Sequence, residues 1–256
     1  MRKILEICVD TVVSAKNADT AKASRIELCS SLQSGGVTPS FATIEKITNT
    51  ISIPVNVLIR PRSGNFYYTN DEFEIICKDI EKIKTLNVNG FVSGVLDKFG
   101  NVDKEKTKQL VEISKPFDFT FHRAIDNTTD YIKNIKSLIN CGVMRMLTSG
   151  ASSSISLGMT NLKKSFSEFK NDIIIMPGGG LNFDNVRELI DYGFSEYHFS
   201  ASEFIEDNCY NNKDLLGGMG HYIHNSECGY MYSDRNKIEK MISILTRQDS
   251  IVQKQN

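Results

Sequence analysis

A closed (β/α)8 barrel is the fold class this sequence predicts, and three observations predict it. The chain has 256 residues, close to the roughly 250 typical of such a barrel. Short apolar runs alternate with helical patterns about eight times, with no Pro/Gly/Ser-rich linker between them, as parallel strands joined by crossover helices require. Along five of those runs, polar residues recur on one alternate phase near the C-terminal end. An open doubly wound sheet is the alternative arrangement of the same elements. Residues 1–256 are read as one domain, with a polar excursion at 203–232 before the last helix.

Strands are expected near 4–9, 25–29, 54–60, 90–95, 117–122, 144–148, 173–177 and 196–200. The clearest helix runs from Asp71 to Leu86, with Phe73, Ile76, Cys77, Ile80 and Ile83 at helical spacing. Thr69 followed by Glu72 supplies a capping-box start. Ile132, Ile135, Leu138 and Ile139 share one helical face, as do Phe183, Val186 and Ile190, with Gly142 and Gly193 as C-terminal stops. The interval after the sixth strand gives the weakest helical pattern, behind the Ser-rich loop 149–156. A final helix spans roughly 234–246.

In a parallel barrel one strand face meets the helices and the other lines the interior. Leu5, Ile7 and Val9 then face outward while Glu6 and Cys8 point inward. Ile26 and Leu28 face outward, Glu27 and Cys29 inward. Strand three directs Arg60 inward with Arg62 beyond its end, strand five Thr120 and His122, strand eight His198 and Ser200. This polar end is the C-terminal rim, where barrel active sites lie. Carboxylates inside a barrel need partners, and Arg60, Arg62, His122 and Arg123 are the cations this pattern offers Glu6 and Glu27.

Composition excludes several function classes. Forty per cent apolar and 24 % charged residues are globular values. Thirty Lys+Arg against 31 Asp+Glu offer no basic surface for nucleic acid or an anionic membrane. No apolar run approaches the ~20 residues of a membrane span. The start MRKILEICVDTVVSA imitates a signal peptide, but Glu6 and Asp10 interrupt its apolar stretch, so it is read as mature sequence. Six cysteines, at 8, 29, 77, 141, 209 and 228, are too sparse for a disulfide scaffold, which points to a reducing, cytoplasmic setting.

Leu5-Glu6-Ile7-Cys8 and Ile26-Glu27-Leu28-Cys29 form a quasi-repeat offset by one strand–helix unit. Adjacent strands lie about 4.8 Å apart, so the two thiols can meet at the rim and suit Cu(I), which prefers sulfur; equally, buried cysteines serve as small apolar fillers. Arg60-Pro61-Arg62 forms an anion clamp, or Arg60 merely neutralises an interior carboxylate. His122 beside Asp126 is a candidate acid/base pair, and His198 poses the same choice between chemistry and a satisfied interior histidine. Gly178-Gly179-Gly180 leading to a helix start near Asn182, and Thr148-Ser149-Gly150, are candidate anion loops. Gly35–Ser40 is a further rim loop, or simply a helix start capped by Ser40. His221 and His224 read as ordinary surface residues.

LEIC at 5–8, RIELC at 25–29, GGVTPS at 35–40, IRPRSGNF at 59–66 and GVLDKFGNVD at 94–103 resemble the CutC copper-homeostasis family. So do FHRAID at 121–126, LTSG at 147–150, PGGGL at 177–181 and HFSA at 198–201. The resemblance covers about residues 4–201. It implies a (β/α)8 barrel, a cytoplasmic protein, self-association into a homo-oligomer and a role in copper handling. It also implies Cys8 and Cys29 as Cu(I) ligands, while Arg60, Arg62, His122, Arg123 and Thr148 match family segments that carry no settled catalytic role. Cys209 and Cys228 lie beyond the matching motifs and inherit nothing.

Two functions follow as expectations. One is a non-enzymatic Cu(I)-binding protein with Cys8 and Cys29 as ligands. The other is a lyase- or isomerase-type enzyme for a small anionic metabolite, its catalytic residues drawn from His122, Asp126, Glu6 and Glu27. Its anion site would be Arg60, Arg62, Arg123, Thr148, Gly178, Gly179, Gly180 and His198.

Overall fold

The computed structural model of the protein describes residues 3–206 and 229–247. Eight parallel strands stand where the apolar runs predict them: β1 Ile4–Val9, β2 Arg25–Leu28, β3 Val55–Leu58, β4 Gly90–Ser93, β5 Asp118–Phe121, β6 Arg145–Thr148, β7 Ile174–Pro177 and β8 Glu196–Phe199. They pair in the order β7-β6-β5-β4-β3-β2-β1-β8, and β8 returns alongside β7, rounding the sheet into a nearly closed (β/α)8 barrel. The open-sheet alternative is thereby set aside.

Helices follow the strands: α1 Val12–Thr20, α2 Phe41–Thr48, α3 Asn70–Ile83, α4 Lys104–Ser114, α5 Tyr131–Asn140, α6 Ile155–Phe169, α7 Asn185–Tyr192 and α8 Arg235–Arg247. The α3 capping box is complete, Glu72 N–H donating to Thr69 Oγ1 and Thr69 N–H to Glu72 Oε2. Ser40 caps α2. Gly193 ends α7 in the left-handed conformation that a Cβ disfavours. The helix with the weakest sequence pattern, α6, is the longest among the described residues at 15. Its apolar positions Ile155, Leu162 and Phe169 recur at intervals of seven, a spacing that polar and small residues between them obscure.

Leu5, Ile7, Ile26, Leu28, Val57, Phe119, Phe121 and Tyr197 are buried in the layer between strands and helices. Each such side chain contributes about 1.5–3 kcal/mol when removed from water. The opposite phase fills the interior. Parallel register sets Glu6 beside Arg25 and His198, and Cys8 beside Glu27.

Polar residues 203–232 were expected to form an excursion. Both of its ends are strands, β9 Ser202–Glu206 and β10 Gly229–Ser233, paired antiparallel. Ser233 ties this strand pair to α1 and β1, its N–H donating to Ser14 Oγ at 2.9 Å and its hydroxyl to the Cys8 carbonyl at 3.2 Å. Cys209, His221, His224 and Cys228 lie outside the described residues.

Candidate functional site

At the C-terminal ends of the strands a cavity of about 280 Å³ opens, lined by Cys8, Glu27, Arg60, His122, Arg123, Gly179, Gly180, His198 and Ser200, with Leu32, Leu58, Phe66, Leu147 and Leu181 as apolar wall. It gathers groups from strands one, two, three, five, six, seven and eight, because alternate residues at the end of each strand project into one lumen.

Beneath the cavity lies a buried charge network that sequence reasoning missed. Arg25 bridges Glu6 and Glu196, each at 2.5 Å. Arg145 reaches Glu196 at 2.8 Å, and Asn56 Nδ2 donates to Glu6 Oε2 at 3.2 Å. The cations that neutralise Glu6 are therefore Arg25 and His198, and none of Arg60, Arg62, His122 or Arg123 does so. The missed signal was the same alternate phase continued one step toward the N-terminus, through Arg25 below Glu27 and Glu196 below His198. Burial works to raise the Glu6 carboxyl, but the Arg25 charge and the His198 hydrogen bond hold it well below the usual carboxylate range.

His198 Nδ1 stands 2.8 Å from Glu6 Oε1. A carboxylate only accepts, so Nδ1 carries the proton. Burial works to lower the His198 pKa, but the charge of Glu27 and the bond to Glu6 raise it. Burial pushes the Glu27 carboxyl up to about 7, against the His198 charge and with the Glu6 charge.

Cys8 Sγ and Cys29 Sγ approach to 4.0 Å, inside the barrel rather than toward the helices. Only Cys8 lines the cavity; Cys29 is fully buried behind it and donates to the Val9 carbonyl at 3.6 Å. The hydrogen bond with Cys29, burial and the neighbouring Glu27 carboxyl raise the Cys8 thiol well above its ordinary pKa.

The two arginines flanking Pro61 diverge. Arg60 turns inward and donates to the carbonyls of Gly35, Gly36 and Gly64, with its guanidinium 4.9 Å from the centre of the Phe66 ring. It neutralises neither Glu6 nor Glu27. Arg62 turns outward to Glu72, the capping-box carboxylate of α3, and to the Asn65 and Tyr67 carbonyls, so the structure does not bring it to the cavity.

His122 and Asp126 do not pair. Asp126 accepts from Thr148 Oγ1, from the N–H groups of Ser149 and Ala151, and from Arg123 Nε. It fastens the loop after β6 to the 3-10 turn Arg123–Asn127. Thr148 is consumed in this network, bonding also to Tyr131, and stands outside the cavity. His122 Nδ1 accepts from Ala124 N–H at 3.2 Å, so in the neutral ring Nε2 carries the hydrogen. Burial, helped by the Arg60 charge, depresses the His122 pKa to about 3. A neutral hydrogen-bond donor stands where the sequence suggested a base.

The three glycines divide likewise. A Cβ on Gly178 would meet Leu147 Cδ1 at 2.4 Å and His198 Cβ at 3.0 Å, which makes it a packing glycine. Gly179 and Gly180 line the cavity at positive φ, and Arg123 covers Gly179 so closely that a Cβ would stand 2.7 Å from its guanidinium carbon.

Comparisons with known proteins agree with the motif resemblance. The family model described as CutC family matches residues 3–203. A human copper homeostasis protein cutC homolog is 36% identical over 242 residues, covering 94% of this chain and 88% of that protein. A Dictyostelium discoideum homolog of the same name is 37% identical over 268 residues, covering 93% and 95%. The crystal structure of the CutC protein from Streptococcus agalactiae superposes with a TM-score of 0.72 at 31% identity, over 77% of this chain and 98% of that one. Thiamine phosphate pyrophosphorylase from Pyrococcus furiosus, at 14% identity and a TM-score of 0.57 over 95% and 96% of the chains, shares the fold alone. This chain belongs to the CutC family.

Proposed function

We propose that the rim cavity binds a small anionic molecule and that the protein acts on it as a lyase- or isomerase-type enzyme. One observation carries this reading. Glu27 Oε2, Arg60 Nε and His122 Nε2 are buried without a protein hydrogen-bond partner, and all three belong to residues of this cavity. A buried polar group left unsatisfied costs about 1–3 kcal/mol, and an anion accepting from Arg60 and His122 would offset two such costs at once. No carboxylate among the described residues pairs with Arg60, which donates to three carbonyls. His122 would polarise a ligand oxygen through Nε2–H, as a neutral imidazole can. Glu27, on the wall with Cys8 and His198, is the group that exchanges a proton near neutral pH.

The test is a thermal-shift panel of small carboxylates, 2-oxo acids and phosphorylated metabolites. A cognate anion at 100 times its Kd stabilises by about 2.7 kcal/mol, and Arg60→Met abolishes that gain. Should no anion stabilise the wild type more than Arg60→Met, the reading fails.

A second reading, Cu(I) carried as cargo between Cys8 and Cys29, is favoured by their 4.0 Å separation and by the copper homeostasis role in the relatives' names. Two soft sulfurs at that distance can share one soft ion, which must displace both thiol protons. Anaerobic titration against a Cu(I) chelator gives one tight site per chain, absent from the Cys8→Ser/Cys29→Ser double mutant. Free thiols at Cys8, Cys29, Cys77 and Cys141 fit a reducing, cytoplasmic setting under either reading, and the family resemblance adds self-association.

A further inference from the structure

We infer that Cys8, Glu27 and His198 form a three-ligand site for a zinc-class divalent ion on the cavity wall, with Glu6 as the carboxylate that orients the histidine. The site stands on its own geometry; what the ion would do there rests on the anion-binding reading above.

The three donor atoms lie within 4.8 Å of one another, all buried, and all three residues line the cavity. Zinc bonds of 2.3 Å to sulfur and 2.0–2.2 Å to nitrogen or oxygen place tetrahedral ligand atoms about 3.3–3.7 Å apart. A contraction of about 1 Å therefore closes the triad.

Two independent features turn this proximity into a site. First, His198 presents the arrangement that metal-bound histidines show, one nitrogen donating to a carboxylate and the other free for the ion. Glu6 holds Nδ1 at 2.8 Å, and Arg25 and Asn56 hold Glu6 in turn, so Nε2 is the ligating atom. Second, Glu27 lines the cavity, and its buried Oε2 has no protein hydrogen-bond partner. Its other oxygen stands 3.8 Å from Cys8 Sγ, which puts thiol and carboxyl together.

Charge and ligand number favour a divalent ion. Cys8 as thiolate and Glu27 as carboxylate supply two negative charges, and binding displaces their protons to solvent. Three protein ligands leave a fourth position for water or a substrate oxygen, the pattern of catalytic rather than structural zinc. In the loaded protein Glu27 is a ligand, so polarisation by the ion takes the place of proton exchange by Glu27, and His122 and Arg60 keep the anion. Cys29, behind Cys8, has no part in the site. That separates it from a dithiol copper site.

Anaerobic titration of the metal-free full chain with Co2+ tests this directly. The expected result is a visible tetrahedral spectrum with a near-ultraviolet thiolate charge-transfer band, at one ion per chain. Cys8→Ser loses the charge-transfer band, and Cys29→Ser keeps it. In competition with a chromogenic chelator, Glu27→Gln weakens Zn2+ binding, and Glu6→Gln weakens it 10–100-fold through the outer-shell hydrogen bond. Circular dichroism of each variant separates lost ligation from lost folding, and Glu27→Gln keeps the side-chain shape if Glu6→Gln does not fold. An absent tetrahedral spectrum, or a charge-transfer band abolished by Cys29→Ser as by Cys8→Ser, overturns the proposal. Anion stabilisation measured on chelator-treated wild type and Arg60→Met reports on the anion reading alone, so either idea can fail without the other.

Discussion

His198 Nδ1 lies 2.8 Å from Oε1 of Glu6, a residue with no solvent exposure. This bond joins two levels of the barrel. Below it, Glu6, Arg25, Glu196 and Arg145 alternate in charge through the interior. Above it, the His198 ring forms part of the cavity wall. The network consequently sets which nitrogen of His198 is available to whatever the cavity holds.

Breaking that network from its centre should unfold much of the protein's stability margin. Arg25→Met leaves Glu6 and Glu196 facing each other without their shared cation. Removing one partner of a buried ion pair costs about 3–5 kcal/mol. Urea unfolding of Arg25→Met is expected to show a loss of that order, and a loss below about 1 kcal/mol would mean that water reaches the barrel floor.

His122 should contribute a loss of stability on mild acidification. Its folded pKa of about 3 lies below the ordinary histidine value of 6.5. Between those two values the unfolded chain binds a proton that the folded chain does not. The His122 contribution to stability therefore rises with pH across this window and drops as pH falls from 6.5 toward 3, by at most about 1.4 kcal/mol per unit. Because Glu27, raised to about 7, contributes the opposite slope in the same range, the His122 contribution is read as the difference between wild type and His122→Asn in unfolding free energies at pH 7, 6 and 5. Equal slopes would place the protonation elsewhere.

The glycine loop after β7 separates packing from binding. Gly178→Ala drives a methyl into Leu147 and His198, and overpacking of this kind costs about 1–3 kcal/mol. Gly180→Ala finds its nearest atom, Ser154 Cβ, at 3.4 Å and is strained only by its φ of +84°. Thermal denaturation should rank Gly178→Ala as the more damaging change, and the reverse order would contradict the close approach of β7 to His198.

Arg60 and Arg62 should part company in ligand assays. Arg60→Met removes a buried donor of the cavity, whereas Arg62→Met removes an ion pair to Glu72 at the start of α3. Anion-induced thermal stabilisation is expected to vanish in the first variant and persist in the second. Its loss in both would return Arg62 to the site.

Much of the architecture was legible in the sequence because it rests on local rules. A strand's period of two sorted Leu5, Ile7 and Val9 from Glu6 and Cys8. The Thr69–Glu72 spacing marked the start of α3, and Gly193 the end of α7. Those patterns also brought Cys8, Glu27, Arg60, His122 and His198 to one rim, since each strand's alternate face must enter the same lumen. α6 was hard to read because its apolar positions are sparse enough for polar neighbours to dilute them.

What the sequence by itself determined is therefore the barrel and the set of polar groups that reach its mouth, both consequences of backbone periodicity acting within a few residues. Only the tertiary structure decided how those groups pair. Whether Glu6 meets Arg25 or Arg60 depends on the register between β1 and β2. Whether Arg60 finds a carboxylate or three carbonyls depends on where the loops carrying Gly35, Gly36 and Gly64 fold back. Ionic and hydrogen-bond partners are chosen over a few ångströms between residues far apart in the chain, and no local period encodes that distance.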